Sequence, residues 1–180
     1  MMDMKIDLSG IEKMLKGMKR EFTDGPKGAK AGYLSGDKGK IAQADTNPPD
    51  VSQIAIWNEF GTYATDYRPR PFMREAQRTA NVRCEKVVKA LLDDGTDMET
   101  VTKQIAQLLS EEMKRSIRHG NWDPNSPITI NGGWMRNKKS GKLFYVKGKK
   151  SSHPLIDTGN MVQSIHTAII TNNNSEIQQD

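Results

Sequence analysis

The 180 residues are 35% hydrophobic and 27% charged, enough for one ordinary domain with a modest core and much exposed surface. No stretch approaches the roughly 20 apolar residues of a membrane span, the N-terminus lacks the apolar centre of a secretory signal, and the lone Cys84 excludes an intrachain disulfide and fits a reducing compartment. The net charge of +5 is unevenly spread: no acid lies between Pro124 and Ile156, where Arg136, Lys138, Lys139, Lys142, Lys147, Lys149 and Lys150 fall.

In chain order, Leu8, Ile11, Met14, Leu15, Met18 and Phe22 form the stripe of a first helix, opened by a Ser9/Glu12 capping box and ended by Gly25-Pro26. Residues 24–50 turn rich in Gly, Lys and Pro, with weak strand candidates at Ala31–Ser35 and Lys40–Ala44 around a hairpin turn at Gly36–Gly39. Asp50 caps a short helix over Val51–Phe60, with Ile54 and Trp57, joined by Ile56 and Phe60 as options, as its apolar side; Gly61 stops it. Arg68-Pro69-Arg70-Pro71 reads as a stiff hinge, with Pro71 suited to the first turn of the next helix. That helix follows Phe72, Ala76, Ala80, Cys84, Val87, Val88 and Leu91 to Gly95. A Thr96/Glu99 capping box opens another, marked by Met98, Val101, Ile105, Leu108, Leu109, Met113 and Ile117. The short link predicts an antiparallel helical hairpin.

Asn121–Ser152 is turn-rich, with Leu143–Val146 its best strand. Asp157-Thr158-Gly159 opens a short helical turn, Ser164–Thr171 is a terminal strand, and residues 172–180 read as a flexible polar tail. The expected fold is a single α+β domain over residues 1–180, with a long antiparallel helix pair plus an N-terminal helix packed on a small, mainly antiparallel sheet. Residues 24–50 and 131–152 are expected to be extended loops or hairpin arms.

Enzyme templates find no match. His119, His153 and His166 are scattered, one cysteine makes no zinc pattern, and neither a phosphate loop nor a nucleophile elbow is present. Glu111 and Glu112 are neighbours on a helix and point apart. Cys84 lies on an apolar stripe, which predicts packing. No catalytic, cofactor or metal site is expected. Trp57 reads as core, whereas Trp122 and Trp134 flank a loop and can anchor that loop or a partner subunit. The basic run is either a solvated lysine-rich hairpin or a contact for DNA or an acidic protein face.

Two stretches carry a resemblance: I-A-I-W-N-E-F-G-T (54–62) with R-P-R-P-F-M-R-E-A (68–76), and H-P-L-I-D-T-G-N-M-V-Q-S-I (153–165) preceded by G-N-W-D-P-N-S-P-I-T-I (120–130). Their order and spacing, over about residues 50–171, resemble the neck and tail-completion proteins of tailed bacteriophages, including the virion morphogenesis proteins of Mu-like phages. The lysine-bearing 131–152 segment is longer than that pattern, and 24–50 is only loosely similar.

The resemblance implies a structural virion protein without a catalytic site. It would form a homo-oligomeric ring, hexameric or alternatively dodecameric, at the head–tail junction. Its partners would be head-side connector proteins and tail terminator or tail tube proteins, with genomic DNA in the lumen and no membrane. Its location would be the virion, after assembly in the host cytoplasm. A tail terminator ring and a nucleic-acid-binding module using residues 136–150 stay open as alternatives. Trp57, Glu59, Arg68, Arg70, Arg74, Trp122 and Trp134 are the subunit-interface candidates; Gly61, Pro69, Pro71, Phe72, Asp157, Thr158 and Gly159 are structural, with Asp157 and Thr158 capping a short helix and Gly159 giving close packing. On this reading Arg70→Ala weakens assembly more than the monomer fold.

Overall fold

The computed structural model describes residues 13, 16–17, 25–33, 50–62, 68–138, 140–171 and 176–179. The fold is α+β, as expected. Its backbone is the pair α2 (Phe72–Asp93) and α3 (Met98–His119), packed along each other. A short helix α1 (Val51–Phe60) precedes them. After them come α4 (Pro127–Asn131), a hairpin of β2 (Gly133–Arg136) and β3 (Leu143–Val146), and α5 (Asn160–Gln163). The main sheet is antiparallel in the order β1 (Gly28–Gly32), β4 (His166–Ile170), β5 (Glu176–Gln179), and it packs on α3. The first-helix stripe lies largely outside the described residues, where Lys13, Lys16 and Gly17 are helical; the proposed strand at 40–44 and its turn lie wholly outside them.

Three expectations change. The strand placed at Ala31–Ser35 is shifted to Gly28–Gly32, and it pairs with β4 from Gly28↔Ile170 to Gly32↔His166 rather than forming a local hairpin. The tail is not free throughout: residues 176–179 pair with β4, from Thr167↔Gln179 to Ile170↔Glu176. A ladder is made by backbone groups, so a polar sequence can fill the open edge of an apolar strand. Finally, α3 is capped by Asp97, whose carboxylate accepts from the Thr100 amide at 2.9 Å, and not by Thr96.

The core gathers Val51 and Ala55 of α1, Phe72 and Ala76 of α2, Met113 and Ile117 of α3, and Leu155, Met161, Val162 and Ile165. Tyr33 closes it from the sheet side, edge-on to Phe72, its hydroxyl donating to the Met161 carbonyl at 2.9 Å; burial pushes the phenol well above its ordinary range. Along α2 burial fades: Phe72, Ala76 and Ala80 are buried, Cys84, Val87, Val88 and Leu91 half-buried, and Leu92 exposed. The closed end of the helical hairpin is thus more open to solvent than its base. The Cys84 thiol is raised by burial, with Arg83 opposing that shift, consistent with packing. No described helix is long and apolar enough to cross a membrane.

Candidate functional site

The quoted stretches converge in space. Arg68 and Arg70 from the hinge, Asp123 to Ser126 after α3, and Asp157 to Met161 before and within α5 line one open cleft of about 740 Å³, with Lys149 at its side. The hinge itself is a tight device. Gly61 has φ 75, the left-handed region a side chain would strain, and its amide closes α1 on the Trp57 carbonyl. Pro71, at φ −76 and ψ 64, makes an inverse γ-turn in which the Phe72 amide donates to the Arg70 carbonyl at 2.7 Å. Pro71 therefore sits just before the helix instead of within its first turn, and it brings no capping side chain.

Glu59 does that capping from the preceding helix. Its carboxylate accepts from the amides of Met73 (2.8 Å) and Arg74 (3.3 Å) and from Arg74 Nε (2.9 Å). The charge sits where α2 exposes unpaired amides and a positive dipole end. Arg74 continues back to the Glu59 carbonyl and lies over the Phe60 ring. Glu59 is 2% exposed, so it is committed to its own chain and is not available to a neighbouring subunit.

Arg70 is likewise turned inward. It is 7% exposed, and its guanidinium donates to the carbonyls of Asp123 (3.1 Å) and Pro124 (3.3 Å) and to Asn125 Oδ1 (3.5 Å). Asn125 passes the link on, donating to the carbonyls of His153 (3.0 Å) and Ser152 (3.5 Å). Hinge, post-α3 loop and pre-α5 segment are fastened through one arginine and one asparagine. Arg68, by contrast, reaches Asp123 only at 3.6 Å with both side chains mostly exposed. Lys149 donates to the Ile156 carbonyl at 3.2 Å; burial lowers its ammonium below the ordinary lysine value, Asp157 opposes this and Arg70 adds to it.

The other motif residues divide. Pro69 is exposed, and Phe72 is fully buried beneath the hinge. Asp157 and Thr158 do not cap α5 as expected: its N-cap is Gly159, and Thr158 Oγ1 only meets the Asn160 amide at 3.4 Å. Gly159 answers to its φ of 82 and not to close packing, since a β-carbon there would meet only Gln163 Nε2, at 3.8 Å.

The tryptophans also separate. Trp122 anchors its own loop: it packs against the core, donates to the Ser116 carbonyl at 2.9 Å, and stands where a β-carbon on Gly120 would strike its ring. Trp57 is not core. The buried side of α1 is Val51, Ala55, Asn58 and Glu59, two of them polar, with Ile54 half-buried; Ile56, Trp57 and Phe60 are exposed together, at 53%, 45% and 67%. Asn58 is buried because its amide bridges the Ile54 carbonyl and Met161 Sδ. Trp134 is 69% exposed, directly opposite Tyr145 in the β2–β3 register, their rings edge to face at 5.5 Å.

Arg136, Lys138, Lys142, Lys147 and Lys150 are exposed on or beside the same hairpin; Lys139 lies outside the described residues. The hairpin is held firmly at its base. Lys149 and Lys150 amides donate to the carbonyls of Thr129 and Ile130, and Gly132 and Gly148 approach so closely that a β-carbon on either would meet backbone atoms.

Sequence reading did not find Asn58, Asn125, the Glu112–Arg83 pair between α3 and α2, or His153, whose ring nitrogens face the carbonyls of Arg118 and Pro154 at 2.7 Å. Asn58 had a signal in its spacing, since with Val51, Ala55 and Glu59 it falls on one helical face, and Asn125 and His153 lie within the quoted stretches. Among the described residues no group of three His, Cys, Asp or Glu side chains could hold a metal ion. Compared with protein-family models, with curated proteins and with solved structures, the chain matches none.

Proposed function

We propose that this chain is a structural virion protein that assembles as a ring in the neck of a tailed phage, at the head–tail junction, where it completes or joins the tail. One observation carries the self-assembly. Large apolar side chains stand exposed on two elements, Ile56, Trp57 and Phe60 on α1 and Trp134, Leu143, Phe144 and Tyr145 on the β2–β3 arm. Contiguous exposed apolar surface marks an interaction site. Two exposed apolar elements of different make on one chain suit the heterologous contacts that close into rings. The neck assignment rests on the resemblance of residues 54–76 and 153–165 to the tail-completion family, and a hexamer is the favoured closure. Image reconstruction of the assembled particle tests it: a ring of this chain between head and tail is expected, and its absence there overturns the reading.

A second reading has its own support. The exposed Trp134–Tyr145 pair with Arg136 and Lys142 nearby makes a stacking and phosphate-binding surface of the kind single-stranded nucleic acid uses. Retention of DNA that falls steeply with salt, and is lost on neutralising Lys138 and Lys142, is the outcome expected there.

A further inference from the structure

We propose that the β2–β3 arm docks on a second copy of this chain, seating against the closed end of its α2–α3 hairpin at residues 91–99, so that copies join head to tail. The proposal rests on the self-assembling reading above and names its contact. The arm is apolar on both faces: Trp134, Leu143 and Tyr145 on one, Met135 and Phe144 on the other, all at least 40% exposed. A lone two-stranded hairpin is marginal in water, and nucleic acid stacking uses one face, whereas a protein surface can cover both. The fixed base, with Gly132 against Gly148, leaves little freedom to lose on docking.

Charge selects the occupant. The arm and its flanks carry exposed cations, and no acid occurs between Pro124 and Ile156. The hairpin end is the converse: Asp93, Asp94, Asp97 and Glu99 are exposed, and no lysine or arginine lies between Lys89 and Lys103. Asp97 is occupied as the α3 cap, and Glu99 pairs with Lys103. Asp93 and Asp94 have no ion-pair partner among the described residues. They stand at the C-terminal end of α2, which has no basic residue in its last turn. Carboxylates there oppose the helix dipole, so a cation brought by a second copy would be favoured beside them. Leu92, 47% exposed beside them, supplies apolar contact. The exposed stripe on α1 lacks such carboxylates, since Glu59 is buried.

The test is charge reversal in the full chain, read by sedimentation velocity over a concentration series. Lys138→Glu with Lys142→Glu on the arm, and separately Asp93→Lys with Asp94→Lys on the hairpin end, should each weaken self-association about tenfold or more, and all four in one chain should restore most of it. These positions are exposed, and matching thermal melts check that each variant folds. If the arm variant loses association while the hairpin-end variant keeps it, the arm docks elsewhere on the second copy, which overturns the contact but leaves the ring reading standing. Loss of DNA retention with self-association intact assigns the arm to nucleic acid and equally overturns it. A wild-type chain that stays monomeric at every concentration, and forms no ring in particles, removes the self-assembling reading itself.

Discussion

Arg68 and Arg70 are two residues apart and chemically identical, yet their surroundings give them opposite roles. Arg70 donates from a buried position to the carbonyls of Asp123 and Pro124, two exposed residues, and to buried Asn125. Removing it takes away the charged donor that ties three segments together, and hydrogen bonds to a charged group are worth about 1.5–3 kcal/mol. Arg70→Ala should lower unfolding stability by that amount in urea titrations. Arg70→Lys should recover only part, because an ammonium cannot reproduce the planar fork that spans neighbouring acceptors. Arg68→Ala, removing a 3.6 Å exposed pair, should change stability by no more than about 0.5 kcal/mol. The inward bonds of Arg70 give it a cost to the monomer fold that stands against the expectation that it matters more to assembly. Glu59 belongs to the same class. Glu59→Ala removes a cap and a charged partner together and should cost about 2–3 kcal/mol, while Glu59→Gln keeps an acceptor for the α2 amides and should cost less.

At the level of elements, helix starts respond to acid in a way that can be signed. Ser52, then the Gln53 amide, hold the Asp50 carboxyl below its ordinary 3.8, and the Thr100 amide, then its hydroxyl, do the same for Asp97. A carboxyl depressed in the folded state contributes stability that is present above 3.8 and lost as pH falls through the lower folded value. Replacing both by asparagine, which caps without titrating, should flatten the pH dependence of the melting temperature below about pH 4 and leave neutral pH nearly unchanged; circular dichroism melts from acid to neutral pH measure it. These caps also show what was legible. Asp50 was readable because its partner lies three residues away, and β3 because an apolar run is bracketed by glycines. Asp97 was misassigned to Thr96 because adjacent capping residues compete and only backbone geometry chooses between them. The face of α1 was misread because buried Asn58 and Glu59 are satisfied by Met161 and by α2, partners that sequence spacing does not announce. The clamp at Asn125 and the β4–β5 pairing likewise depend on segments brought together only by the fold.

For the whole molecule, the residues that hold the fold differ from those proposed to join copies. The core is built from α1, α2, α3 and the residues around α5, whereas Ile56 and Trp57 face outward from α1 at 53% and 45% exposure. Replacing both by glutamine keeps good helix formers in place and removes apolar surface from water contact. Thermal stability should therefore move by no more than about 1 kcal/mol in free-energy equivalents. If α1 is one of the joining surfaces, the same pair should weaken self-association in sedimentation velocity, and the loss should persist at high salt, because area burial is not screened as charge is. The arm contact adds ion pairs to apolar area: raising salt from low to several times physiological ionic strength shortens the Debye length from about 30 Å to a few Å and should weaken its charged part. Wild-type association that falls with salt to a lower plateau would reflect charge and apolar area acting together. A salt-independent association abolished by Ile56→Gln and Trp57→Gln would place the whole contact on α1, and a salt-dependent one untouched by that pair would place it on the arm.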